Sequence, residues 1–130
     1  MKFLLFLVLA FGTVTASCQT TDTTVYAFDS LATKPEFKGG ITKFTRALDR
    51  TFHYPPYSRI HYIQGTLTAS FIIEKDGSIS NVIITKGVYE DIDQEFIRVM
   101  KNAPKWKPGT VDGQAVRTRY VGFPFRLALG

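Results

Sequence analysis

The sequence predicts an α+β domain in two layers, an antiparallel sheet of about three strands with two helices packed on one face. Three observations carry this. Between Ile63 and Gly87 two β-prone runs flank Asp76-Gly77, a dipeptide suited to the positive φ angles of a tight antiparallel turn. Two other stretches repeat apolar residues at spacings of three and four, the period of a helix with one buried face. The last stretch, Ala115 to Leu127, is β-prone again. A lone hairpin is marginal in water, so its apolar face needs a cover.

In the first hairpin strand Leu67, Ala69, Phe71 and Ile73 alternate with Thr66, Thr68 and Ser70, the period of a half-buried strand. Ile79, Val82, Ile83 and Ile84 make the second strand, rich in β-branched residues. Its phase slips near Asn81, where a bulge fits. Upstream, Phe37-Lys38-Gly39-Gly40 turns into a helix with Ile41, Phe44, Leu48 and Phe52 on one face. Lys43, Arg46, Asp49 and Arg50 lie mostly on the other. Pro55-Pro56 stops this helix, and Ser58 to Tyr62 reads as one more helical turn. After Gly87, Glu90, Asp91 and Asp93 place acids at a helix start, where the macrodipole favours them. Ile92, Phe96, Val99 and Met100 form that helix's apolar stripe. Phe71 and Phe96 are therefore expected in the core. The Pro104–Gly109 loop carries the single Trp106, read as a packing anchor. Val25 to Phe28 fits a short edge strand. Pro124 has no N–H for a ladder, so at that point the last strand is expected at a sheet edge or already leaving the sheet, with an interruption at Gly122 or Pro124.

The chain is long enough for one domain with a real core plus an N-terminal segment. Its net charge is +5, but no Lys/Arg stripe interleaves with aromatics, which argues against a nucleic-acid partner. His53 and His61 have no second His, Cys or paired carboxylate at ligand spacing, so no metal site is expected. Ser58, Ser70, Ser78 and Ser80 lack the nucleophile-elbow context. No catalytic constellation and no cofactor motif is present, and the chain reads as a non-enzyme.

The N-terminus has its own pattern. Met1-Lys2 precedes an apolar run, Phe3 to Val14, and the small residues Thr15-Ala16-Ser17. These are the parts of a secretory signal peptide over residues 1–17. The run is short for a bilayer span, which takes about 20 residues. Cys18 is the only cysteine, so it has no internal disulfide partner. Its position after small residues resembles a bacterial lipoprotein cleavage site, with Cys18 acylated as the first mature residue. The alternative is ordinary cleavage leaving a spare thiol. Residues 18–36, rich in Thr and Asp, read as a tether, and residues 37–130 as the domain.

Several motifs then fall in a recognisable order. Tyr54-Pro55, Ser58 and Ile63-Gln64-Gly65 precede a strand ending Glu74-Lys75-Asp76-Gly77-Ser78. Asp93 and Phe96 follow in the second helix, then Pro104-Lys105-Trp106-Lys107-Pro108-Gly109 and Val111-Asp112-Gly113-Gln114-Ala115-Val116. This set resembles the C-terminal domain of the TonB family, in the form common in Bacteroidetes, over about Phe37 to Leu127. Lys38 and Ser58 stand where such domains often have Pro and Ala. The N-terminus departs further. A TonB energy transducer has a retained membrane helix and a long Pro-rich span, whereas this chain has a leader and a short tether.

The resemblance implies a non-catalytic envelope protein that binds an extended peptide of a TonB-dependent receptor by strand addition to the last strand. The expected edge is Arg117, Thr118, Arg119, Tyr120 and Val121, with Arg117 and Arg119 facing solvent and attracting acidic residues. That edge has two other candidate occupants, the chain's own N-terminal residues and a second copy in a homodimer. The expected location is the periplasm, anchored to the outer membrane through Cys18. Two alternatives are a complete transducer with the leader kept as an anchor, and a small secreted enzyme.

Overall fold

A computed structural model describes residues 23–130. The expected signal peptide, Cys18 and the first residues of the expected tether lie outside the described residues. The element order is β1 (Val25–Ala27), a single 3-10 turn (Phe28–Ser30), α1 (Ile41–Thr51), α2 (Pro56–Ile60), β2 (Gly65–Ile73) and β3 (Ile79–Lys86). Then come α3 (Glu90–Lys101), β4 (Thr110–Val111), β5 (Gln114–Ala115) and β6 (Arg117–Leu127). The main sheet runs β1-β6-β2-β3, and β4 and β5 form a separate two-stranded ribbon. The α+β class is as predicted, with two corrections. The sheet has four strands and is mixed, and the helical turn after Pro55 is a third helix. β1 runs parallel to β6, whereas β2 is antiparallel to both β3 and β6. Only a tight turn forces the antiparallel sense. β2 and β3 have one, while β1 and β6 lie at opposite ends of the chain.

The Asp76-Gly77 turn depends on its residue types. Asp76 Oδ1 accepts from the Ser78 amide at 2.9 Å and from its hydroxyl at 2.6 Å. Gly77 has φ +86°, and a Cβ there would stand 1.8 Å from the Trp106 carbonyl oxygen. The Gly77 carbonyl also accepts the Trp106 amide at 2.8 Å. The turn thus fastens the Trp106 loop to the hairpin, an approach that only glycine permits.

Alternation then builds the core. Leu67, Ala69, Phe71 and Ile73 of β2 are fully buried, beneath Phe44 and Leu48 of α1 and Ile92, Phe96, Val99 and Met100 of α3. Phe123, Phe125 and Leu127 of β6 join the same cluster. Aromatic rings dominate it. Phe44 packs edge-on against Trp106 and Phe123, with centroids 5.0 and 5.7 Å away. Phe96 lies 5.2 Å from Phe125. Ile41, expected on the buried face of α1, is 42% exposed. It is the first helical residue and lines a hollow between α1 and β6. Asn81 has φ +46° at the register shift between Ser70 and Ile72, so the expected bulge is present. The last strand is not interrupted. It runs unbroken from Arg117 with a bulge at Val121-Gly122, where Gly122 has φ +74° and the register to β2 shifts.

Candidate partner-binding edge

The two flanks of β6 are built differently. On the inner flank it pairs with β2 along nearly its whole length, from Thr118 opposite Ile73 to Leu127 opposite Gly65. On the outer flank β1 pairs with three residues, Val25 opposite Arg117, Tyr26 opposite Thr118 and Ala27 opposite Arg119. Beyond Arg119 no strand pairs with the outer flank among the described residues. Of the expected edge, Arg117, Thr118 and Arg119 carry β1 on the outer flank, Thr118 and Arg119 also pairing with β2, and from Tyr120 onward that flank is open.

Pro124 fits the open flank. Its ladder partner Thr68 turns its carbonyl to Thr85 Oγ1, 3.1 Å away on the β3 side. In an antiparallel strand a residue's N–H and C=O point the same way. The Thr68–Pro124 pair therefore exchanges no main-chain bonds, and the N–H that proline lacks would have pointed outward.

The side chains of the expected edge have separate surroundings. Arg117 is held in place, not free in solvent. Its Nε donates to Glu74 Oε2 at 2.7 Å, its Nη2 to Glu74 Oε1 at 3.0 Å and its Nη1 to the Thr23 carbonyl at 3.1 Å. The expectation that Arg117 attracts an acidic partner is thus corrected, because its charge is already matched. These Arg117 bonds, with the Ser80 hydroxyl, hold the Glu74 carboxyl below its usual range. Thr118 is fully buried, and its Oγ1 has no hydrogen-bond partner among the described residues. Tyr120 stacks on Phe71, with centroids 5.1 Å apart, and meets Phe28 edge-on at 5.2 Å. Burial, and the nearby charge of Asp29, push its phenol pKa up. Val121 is 70% exposed at the bulge.

Two hollows flank the open stretch. One, of about 280 Å³, is lined by Ala27, Phe28, Asp29, Arg119, Tyr120 and Val121, where β1 leaves the sheet. The other, of about 530 Å³, runs between α1 and β6, with Ile41, Thr45, Arg46 and Asp49 on one side and Tyr120, Phe123 and Pro124 on the other. Burial raises the Asp49 carboxyl pKa there. Sequence reasoning missed this groove. Its one signal was Ile41, an apolar residue on the first turn of a helix whose buried stripe is complete without it.

Two other polar residues singled out in the sequence have local partners. The Ser58 hydroxyl is fully buried and donates to Asp91 Oδ1 at 2.6 Å. His61 packs on the Tyr57 ring at 4.1 Å. Among the described residues no group of three or more His, Cys, Asp or Glu side chains could hold a metal ion. Trp106 is 6% exposed and packs against Phe37, Phe44, Phe71 and Tyr120, as a packing anchor should.

A model of the Gram-negative bacterial TonB protein C-terminal family matches residues 50–127, more than half of the chain. The chain belongs to the TonB C-terminal family. Domains of this family are interaction and energy-transduction domains of the cell envelope, not enzymes. Two solution structures of the Helicobacter pylori TonB C-terminal domain share the fold. One is 22% identical with a TM-score of 0.51, covering 68% of this chain and 91% of that one. The other is 18% identical with a TM-score of 0.51, covering 69% and 80%. No curated protein matches the sequence. The matched stretch of this TonB C-terminal domain includes β6 and its groove wall of Tyr120, Phe123 and Pro124. β1 lies before it.

Proposed function

We propose that this TonB-family protein binds an extended segment of a TonB-dependent receptor, or of another envelope protein, by strand addition to the outer flank of β6. The observation that supports this is the open main-chain flank from Tyr120 to Leu127, beside a groove of side-chain size. Unpaired N–H and C=O groups on such a flank are satisfied by an added strand, and adjoining hollows select its side chains. A photo-crosslinking residue placed at Val121, and separately at Ile83 on the β3 edge, tests it in intact cells. Adducts from position 121, mapped to a short stretch of an outer-membrane receptor, are the expected result. Adducts confined to position 83 would sink the reading.

The protein is further proposed to be exported by a signal peptide over residues 1–17 and anchored through acylated Cys18; of the expected tether over residues 18–36, the part from Val25 packs on the domain expected over 37–130, through β1 on β6 and the buried Leu31. The short apolar run ending in small residues before Cys18 supports this. A single acyl chain binds membranes only marginally, so more than one is expected. Cys18→Ala should move the protein from the membrane to the soluble periplasmic fraction. A variant that stays membrane-bound would rule the anchor out, and an intact Met1 in the mature protein's mass would favour a retained leader.

A further inference from the structure

The strand-addition reading leaves β1 on the flank it would use, and this inference rests on that reading. We infer that β1 sits in the partner's seat, and that the partner is an extended, proline-free segment that runs parallel to β6 and displaces β1.

The hold on β1 is local and one-sided. It has three residues, of which Val25 and Tyr26 are half-buried and Ala27 is exposed. Its leading end is fastened by the Arg117 Nη1 bond to the Thr23 carbonyl. Its trailing end is different. Leu31 is buried, and Thr33 and Glu36 bridge to Thr110 and Lys107. The segment can therefore peel from its N-terminal side and hinge near Leu31, giving up the Phe28–Tyr120 ring contact but no residue of the buried cluster. None of the buried aromatic cluster is contributed by β1.

β1 also shows what the seat accepts. The direction is parallel, and the register sets residues opposite Arg117, Thr118 and Arg119. The residue types are a β-branched and an aromatic side chain in succession, and a main-chain carbonyl reaches Arg117 Nη1. A longer segment in this register has room that β1 does not use. β1 leaves the sheet at the Phe28–Ser30 turn, whereas an incoming strand can continue past Tyr120 along the open flank. There it meets the groove walled by Ile41, Phe123 and Pro124. The greater length of paired flank gives the incoming segment its advantage over the resident one.

The test compares three forms of the full-length chain, each carrying the photo-crosslinker at Val121. Tyr26→Pro loosens β1 by removing a donor and fixing φ. The pair Ala27→Cys and Arg119→Cys, adjacent across the β1–β6 ladder, locks β1 when oxidised and frees it when reduced. A peptide of residues 23–31, labelled with a fluorophore, serves as a defined probe for the purified forms. The Tyr26→Pro form should crosslink several-fold more than wild type and bind the peptide at least about tenfold more tightly. The oxidised pair should do neither, and reduction should restore both. A circular dichroism melt confirms that each form is folded. Equal crosslinking in all forms would overturn the displacement while leaving strand addition intact. Crosslinking lost in Tyr26→Pro would make β1 part of the binding surface and also overturn it. No adduct from position 121 in any form would overturn strand addition itself.

Discussion

The inner and outer flanks of β6 use the same main-chain chemistry, yet only one is backed by buried side chains. The inner flank zips to β2 while the side chains of both strands, Phe71, Phe123, Phe125 and Leu127 among them, enter one buried cluster. The outer flank holds β1 by a short parallel ladder whose side chains stay half-exposed. A net main-chain hydrogen bond contributes only about 0.5–1.5 kcal/mol, whereas burying one large apolar side chain contributes about 1.5–3 kcal/mol. Hydrogen bonds therefore specify where strands lie, and apolar burial decides which of them stay. A binding edge needs the first without the second.

The largest expected effects come from attacking the inner flank. Phe71→Ala and Phe96→Ala remove fully buried rings, and each should cost about 3–5 kcal/mol. Against a total of about 5–15 kcal/mol, either change brings the domain near unfolding. Urea titration reads this, and a loss below about 1 kcal/mol would show that the cluster does not hold the inner flank.

Gly77→Ala attacks the tie between the hairpin and the Trp106 loop. The positive φ alone costs about 1–2 kcal/mol for a residue with a Cβ, and the clash with the Trp106 carbonyl adds to it. Thermal melts should fall accordingly, with Trp106 fluorescence shifting toward that of an exposed ring. An unchanged melt would mean that the loop is not tied down there.

The Arg117–Glu74 pair bears on both flanks, since it joins the ends of β6 and β2 and also reaches toward β1. Its bonds lower the Glu74 pKa in the folded state. The resulting stability is present above the usual carboxylate range and is lost as pH falls through the lowered, folded value. Arg117→Ala should therefore lower stability at pH 7 and flatten the acid limb of the stability profile. Equal acid sensitivity in the two proteins would sink this assignment. The same variant should speed hydrogen exchange at Val25–Ala27 more than at Phe123–Leu127, which sharpens the contrast between the flanks directly.

The smallest effect is a gain. Thr118 carries a buried hydroxyl without a partner among the described residues, and an unpaired buried polar group costs about 1–3 kcal/mol. Thr118→Val keeps the shape and removes the hydroxyl, so denaturant titration should show a rise of about 1 kcal/mol. A fall would mean that the hydroxyl has a partner, water included.

Much of this architecture was legible in local patterns. Alternation from Leu67 to Ile73, the Asp76-Gly77 turn, the stripe from Ile92 to Met100 and the acids at the start of α3 all act over a few residues. Period and turn chemistry therefore reveal them without knowledge of the rest. Even the bulge at Asn81 showed as a slip of phase. The site was less legible. That the last strand is β-prone and ends in a proline follows from the sequence, as does the short strand at Val25. Which flank of β6 that strand would cover does not. Arg117 and Thr23 stand 94 positions apart, and a parallel pairing between chain ends leaves no periodic trace. Nor does the groove, where Ile41 of α1 shares a wall with Phe123 and Pro124, about 80 residues away in the chain. Residue types determine which segments can be strands and helices. The free choice among long-range pairings is made by the packing of the whole core, and it alone decided that β6 is paired along most of one flank and covered by β1 only at the start of the other.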